Sequence, residues 1–228
     1  MELIFVRHGQ PRWSIDGIGQ PNPHLTELGT RQADLAATLL ASTEPPLTEV
    51  LVSPAIRAQE TAEPLQRATG LGLETIDDLV EMKMPDWDGV PESEVIAIFE
   101  QARHRSPDEW WDGLAGGESF RDFHNRVTST MAAILAARGT RPDGHGRPYL
   151  WHVEDPDQTV AIVAHGGTNA VAIGWLLGSD PTPWEWERFI LGHASIARLR
   201  AIPLAGEHVF SMRAFNDREH LRREERTR

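Results

Sequence analysis

"TVAIVAHGGTNAVAIGWLLGS", residues 159–179, carries no formally charged side chain and is about as long as the roughly 20 apolar residues of a membrane span. Its centre argues against a span. His165, Gly166, Gly167, Thr168 and Asn169 stand where a bilayer would require apolar side chains. The two flanks also differ: residues 160–164 are β-branched and alanine-rich, like a buried strand, whereas 168–177 suit a buried helix. The stretch therefore reads as strand, tight turn, helix, with a histidine where the strand ends.

The same grammar recurs upstream. "LIFV" (3–6) is a short apolar run that stops at Arg7 and His8, and "TEVLVSP" (48–54) stops at Pro54. Between them, "HLTELGTRQADLAATLLAS" (24–42) offers Thr26 as an N-cap and Leu28, Leu35, Leu39 and Leu40 as a helix face. Residues 55–68 read as a helix that Pro64 should bend or interrupt, and "LGLETID" (71–77) as a third strand. Residues 80–117, rich in Pro, Gly, Asp and Trp with room for a short helix, read as an insertion over one end of the sheet. A long helix over 118–139, an exposed loop over 140–158 and closing strands at 195–202 and 208–215 complete the expectation. The polar residues 216–228 are expected to fray.

Strands alternating with helices imply an α/β fold: a three-layer α/β/α sandwich with a mostly parallel central sheet and a lid-like insertion, in a single domain over 1–215. In such sheets function sits at the carboxyl ends of the strands. Here those ends read "VRHG", "VSP" and "AHGG".

Composition narrows the chemistry. A formal charge of −12 argues against nucleic acid or an anionic membrane as the main partner. An anionic small substrate would need a local cationic pocket. With no cysteine, disulfides, thiolate nucleophiles and Cys-based zinc or iron sites are excluded. "MELIFVRHG" lacks a basic region and a cleavage-like site, so no signal peptide is read and the expected location is cytoplasmic. A homodimer is left open.

Taken singly, His8 and His165 are each compatible with a core residue, a metal ligand, a general base or a nucleophile. Their equivalent strand-end positions favour function. A metal centre would usually add a carboxylate or a third imidazole and avoid fixed positive charge, yet Arg7 adjoins His8 and Arg57 follows the second strand end. Guanidiniums grip phosphate or carboxylate oxygens with paired hydrogen bonds. The pattern points to an anion, with no metal and no cofactor.

"RHG" after the first strand, "LTELGTRQA", "VSPAIRAQET", "GGESFRDFHNR" and "VAHGG", in this order over roughly residues 2–200, resemble the histidine phosphatase superfamily, also called phosphoglycerate mutase-like. A lone RHG would arise by chance in about one such chain in a hundred; five ordered motifs do not. The resemblance implies that His8 is a nucleophile forming phosphohistidine, that Arg7, Arg57 and His165 bind the transferring phosphoryl group, and that an acidic residue after the third strand acts as general acid and base. Glu81 matches that residue best; Asp77, Asp78, Asp86 and Asp88 are its rivals. Gly166 and Ser14 are expected to help bind the phosphate, Ser14 standing where many members have Asn. Thr61 is expected to be structural.

Cofactor-dependent mutases continue with Arg-His-Tyr-Gly, where this chain has Met82, Lys83, Met84 and Pro85. That difference favours a phosphatase acting on a phosphorylated small molecule over two alternatives, a mutase and a silent phospho-ligand binder. Arg103, His104 and Arg105 read as a solvated helix face, with contact to a second anionic group as the sharper alternative. Trp87, Trp110 and Trp111 read as packing of the insertion, with an apolar wall for the leaving group as the sharper alternative.

Overall fold

The computed structural model describes residues 1–146 and 149–228. In chain order its elements are β1 (Glu2–Arg7), the small hairpin β2 (Ser14–Ile15) and β3 (Ile18–Gly19), α1 (Glu27–Ala41), β4 (Glu49–Val52), α2 (Ile56–Thr69) and β5 (Leu73–Thr75). The insertion holds α3 (Glu92–Ala102) and α4 (Pro107–Trp111), and α5 (Phe120–Ala136) follows. The remainder is β6 (Thr140–Pro142), β7 (Trp151–Val153), β8 (Thr159–Ala164), α6 (Gly166–Leu176), α7 (Glu185–Arg188), β9 (Ile196–Leu204) and β10 (Glu207–Asp217).

The main sheet runs β5-β4-β8-β1-β9-β10-β7-β6. It is parallel from β5 to β1, the half that carries the strand ends singled out above, and antiparallel from β1 to β6. Both faces of β4, β8 and β1 are buried, which is why these strands carry continuous apolar runs rather than alternating, whereas β5 at the edge is partly exposed. Leu3, Phe5, Leu51, Val160 and Ile162 pack with Phe123, Val127 and Met131 of α5 and Val171 and Ile173 of α6. Ile4, Val6, Val50, Val52, Ala161 and Val163 pack with α1 and α2 on the opposite face. This gives the expected α/β/α sandwich.

Thr26 caps α1 by accepting from the Gly29 N–H. The buried stripe of α1 is Gly29, Ala33, Ala36, Ala37 and Leu40, and Leu35 faces outward. Small residues occupy the stripe because the backbone of α1 closes on the loop after β1: a Cβ on Gly9 would lie 2.5 Å from the Gly29 carbonyl oxygen. The helix over 56–69 continues through Pro64.

Two expectations are corrected. The loop expected over 140–158 contributes β6 and β7 to the sheet edge, because Trp151 is buried against Trp175 and Phe210; Arg147 and Pro148 of that expected loop lie outside the described residues. The segment 216–228 does not fray. β10 extends to Asp217, Leu221 is buried beside Ala36 and Ala194, and the buried Gln32 amide donates to Glu225 O and Thr227 Oγ1. One apolar anchor and one buried amide fix a segment whose composition alone reads as solvated. Among the described residues no helix is long and apolar enough to cross a membrane.

Candidate active site

β4, β8 and β1 are neighbours in the sheet, so the residues just beyond their carboxyl ends converge. The backbone ladder continues past them: Ser53 N donates to Val163 O and His8 N to Ala164 O. This places the rings of His8 and His165 with centroids 5.2 Å apart, both buried. Arg57, on the first turn of α2, lies between them.

The hydrogen bonds assign the tautomers. His8 Nδ1 lies 2.8 Å from the Gly9 carbonyl, which can only accept, so Nδ1 carries the proton. Arg57 Nε donates to His8 Nε2 at 3.2 Å, so Nε2 presents its lone pair. Arg57 Nη2 donates to His165 Nδ1 at 3.1 Å, leaving His165 Nε2–H to donate to Ser53 Oγ at 2.8 Å. Burial, reinforced by the neighbouring guanidiniums (Arg57 and Arg7 for His8; Arg57, Arg7 and Arg126 for His165), holds both pKa values well below the usual histidine range. Both rings are neutral, and His8 offers an unprotonated nitrogen at the mouth of β1.

A third histidine joins them. His193 was not singled out in the sequence, where it sits inside an unremarkable "LGHAS". It is buried, its ring centroid 5.7 Å from that of His8. It accepts from Arg7 Nη2 at 3.2 Å and is 2.8 Å, through Nδ1, from Thr227 Oγ1. Burial and Arg7 push its pKa down to about 3. Arg7 is further fixed by donating from Nη1 to Leu191 O at 2.5 Å, and burial lowers its own pKa to about 10. Its Nε is buried without a protein acceptor, a donor aimed into the site beside Gly166, whose Cβ position would lie 3.5 Å away. Gly166 opens α6 and lies where expected.

Glu81 is the carboxylate that reaches this cluster. Its oxygens accept from Gly167 N (2.8 Å) and Thr168 N (3.1 Å), so it caps the positive end of α6. A Cβ on Gly167 would lie 2.5 Å from Glu81 Oε1, so only glycine permits this approach. Behind it, Arg126 donates to the carbonyls of Asp78, Val80 and Glu81 while ion-paired with Glu118 at 2.7 Å. The "GGESFRDFHNR" motif thus supplies both halves of a clamp on the Glu81 loop. Asp86 and Asp88 sit further along that loop, where the Asp86 carboxylate caps the Asp88 N–H. Thr61 is buried between Gly9 N and Arg57 O, a structural link.

Ser14 does not join the cluster. Its hydroxyl donates to Glu92 at 2.9 Å, in the contact that ties the β2–β3 hairpin to the insertion. A neighbour of Ser14, Trp13, takes a place at the site instead: its ring lies 5.2 Å from the Arg57 guanidinium carbon.

Two cavities open from here. One, of about 790 Å³, contains His8, Arg57, Trp13, Trp87 and Phe99; the other, of about 1000 Å³, contains Gly166, Arg103, Trp110, Trp184, Trp186 and Arg228. Arg7, Glu81, Met82 and Lys83 line both. Trp111 instead packs edge-on to Phe120 in the core. Among the described residues no group of three or more His, Cys, Asp or Glu side chains is placed to hold a metal ion.

A model of the histidine phosphatase superfamily, branch 1, matches residues 3–142. The chain belongs to the histidine phosphatase superfamily. The resemblance read from its motifs is borne out. Relatives of this histidine phosphatase include the glucosyl-3-phosphoglycerate phosphatase of Mycobacterium tuberculosis, 31% identical over 184 residues, 80% of this chain and 78% of that protein. A 2,3-bisphosphoglycerate-dependent phosphoglycerate mutase of Azorhizobium caulinodans is 32% identical over 155 residues, 63% of this chain and 75% of its own. The solved structure of the mycobacterial glucosyl-3-phosphoglycerate phosphatase with inorganic phosphate superposes with a TM-score of 0.71 at 27% identity, covering 97% of this chain and 99% of that one.

Proposed function

We propose that this histidine phosphatase hydrolyses a small phosphorylated metabolite in two steps through phospho-His8, without a metal ion. The observation that carries the reading is the hydrogen-bonding state of His8: Nδ1–H is fixed on the Gly9 carbonyl, and Nε2 is unprotonated and beside Arg57. An unprotonated imidazole nitrogen is a competent nucleophile near neutral pH.

In the first step His8 Nε2 attacks phosphorus, the bond from phosphorus to the leaving oxygen breaks, and Glu81 gives that oxygen a proton. In the second, Glu81 takes a proton from water as the water oxygen attacks phosphorus and the P–N bond breaks, releasing inorganic phosphate and restoring His8. Phosphoryl transfer depends chiefly on positioning and on stabilising charge spread over the equatorial oxygens. The free Arg7 Nε–H, the Arg57 guanidinium and the Gly166 N–H at the start of α6 supply donors for those oxygens, the role that metal ions fill elsewhere. A phosphatase relative that matches 80% of this chain, against 63% for the mutase relative, supports hydrolysis over isomerisation, as does the Met82-Lys83-Met84-Pro85 run in place of the mutase sequence. Cytoplasmic placement and a phosphorylated small-molecule substrate belong to the same proposal.

Steady-state phosphate release from a panel of phosphomonoesters in excess chelator tests it. Release from at least one monoester, lost in His8→Ala, is expected. Full activity in His8→Ala, or abolition by chelator, would remove the mechanism.

A further inference from the structure

His8 and Arg57 line the smaller cavity and not the larger one. A monoester whose phosphorus meets His8 Nε2 is therefore seated in the smaller cavity, and its leaving group meets that cavity's wall. The wall turns apolar directly beside the reaction centre. The Trp13 ring stands edge-on to His8, centroids 6.5 Å apart, and 5.2 Å from the Arg57 guanidinium carbon. Beyond it the lining includes Met84, Trp87, Ile96 and Phe99, with Trp87 packed edge-on to Phe99 at 5.4 Å.

An amphipathic helix ordinarily buries its apolar stripe against the core. α3 does not. Ala102 is its one buried residue, whereas Val95, Ile96 and Phe99, spaced three and four apart on one face, line the cavity. The backbone holds the helix there: Glu92 N donates to Gly17 O at 3.0 Å, fixing the start of α3 to the β2–β3 hairpin. In consequence Trp13 stays 47% exposed, Met84 38%, Ile96 51% and Phe99 45%. These are four of the ten large apolar side chains left exposed among the described residues, gathered in one concavity that ends at the nucleophile. Apolar side chains scattered singly over a surface mean little, but a contiguous patch in a groove marks a surface that something apolar covers. Outside the reaction centre the polar side chains of the wall are Gln20, Asn22, Lys83 and Glu92. Three of these already bond within the protein: Gln20 Nε2 donates to Ile18 O, Asn22 Oδ1 accepts from Ile56 N, and Glu92 accepts from Ser14 Oγ. A polyhydroxylated leaving group would give up its bonds to water against a wall that replaces few of them.

We propose that the smaller cavity selects an apolar leaving group, so that the preferred substrate is the phosphate monoester of a hydrophobic alcohol rather than of a sugar. The inference rests on the phosphomonoesterase reading for its orientation, phosphoryl group at His8 and carbon skeleton against Trp13, Ile96 and Phe99. Of the tryptophans in the insertion, Trp87 thereby forms part of the substrate wall.

A homologous series tests it without changing the chemistry of the leaving oxygen. For ethyl, butyl and hexyl phosphate, kcat/KM should rise roughly two- to four-fold per methylene, the effect of burying each CH₂. 5-Hydroxypentyl phosphate, which has the length of hexyl phosphate with a hydroxyl at its end, should be about ten-fold poorer than hexyl phosphate. A flat or falling series, or equal rates for the hydroxyl and methyl termini, overturns the proposal. In Ile96→Ser/Phe99→Ser, which alters two half-exposed positions away from the reacting atoms, the hexyl-to-ethyl ratio should drop about ten-fold while ethyl phosphate changes by less than about three-fold. An unchanged ratio in the folded variant, verified by thermal unfolding, also overturns it. Calorimetric titration of the unsubstituted protein with ethyl-, butyl- and hexylphosphonate, which cannot be hydrolysed, gives the same comparison without turnover: affinity should climb with chain length, and equal affinities refute the apolar pocket. Failure to hydrolyse any monoester would instead count against the proposed function, while the phosphonate affinities still decide the character of the cavity.

Discussion

Replacing Gly167 with alanine probes the general acid without touching a titratable group. The added Cβ would lie 2.5 Å from Glu81 Oε1, 3.1 Å from Cδ and 3.3 Å from Oε2. Ordinary contact begins near 3.4 Å, so the carboxylate must retreat by roughly 1 Å and weaken its bonds to Gly167 N and Thr168 N. Misplacement on that scale costs about 10²-fold in rate, within the roughly 10² to 10⁴ that a general acid contributes. The loss should depend on the leaving group. An alkyl phosphate, whose alkoxide needs a proton as it departs, should lose about 10²-fold in kcat, whereas p-nitrophenyl phosphate, whose leaving group departs unprotonated, should lose no more than about five-fold. Steady-state kinetics on both substrates, with Glu81→Gln as the reference and thermal unfolding to verify the fold, make the comparison. Equal losses on the two substrates, or full activity on the alkyl phosphate, would refute the placement of Glu81 as the proton donor.

Other consequences follow from the same geometry. Arg57→Lys keeps the charge but replaces the rigid fork that reaches His8 Nε2 and His165 Nδ1 from two separate nitrogens with a single donor atom; kcat should fall by about 10²-fold or more, and a loss under three-fold would contradict the bridging role. Thr227→Val removes the partner of His193 Nδ1 and one of the two acceptors of the Gln32 amide and should lower kcat/KM by about ten-fold, about 1.4 kcal/mol for the hydrogen bond to His193; Thr227→Ser should restore it, and rescue by Ser no better than Val would show a packing effect only. For acid stability, His8, His165 and His193 have folded pKa values below that of the unfolded histidine, near 6.5. The unfolded chain therefore binds more protons below that pH, and stability falls as the pH drops from about 6.5, for His193 down to about 3. Urea midpoints measured from pH 7 to 4 should decline, and His193→Gln should flatten the slope by up to about 1.4 kcal/mol per pH unit; an unchanged slope would contradict the assignment.

What the sequence made legible was what short-range chemistry encodes. The apolar runs ending in "VRHG", "VSP" and "AHGG" specify buried strands with polar residues at one end, and that suffices to bring His8, Arg7, Arg57 and His165 together. Glu81 was legible through the family motif, whereas its seat on Gly167 and Thr168 needed the structure. His193 was not legible, since it lies far along the chain from His8 and only the pairing of β9 with β1 brings it near. The tail misled because twelve of the thirteen residues over 216–228 are polar, while the single leucine, Leu221, and the amide of Gln32 decide its position. Ser14 misled for a related reason: its hydroxyl found Glu92, a partner nearly eighty residues away.

The central claim is the covalent step at His8, and rapid-quench trapping tests it most directly. Enzyme in excess chelator is mixed with a ³²P-labelled phosphomonoester and quenched in alkali or in acid within one turnover. The account predicts protein-bound label that survives alkali, is lost in acid, maps to the peptide containing His8, and forms and decays at least as fast as kcat. Turnover with no labelled protein at any time, or label that persists unchanged in His8→Asn, would contradict it.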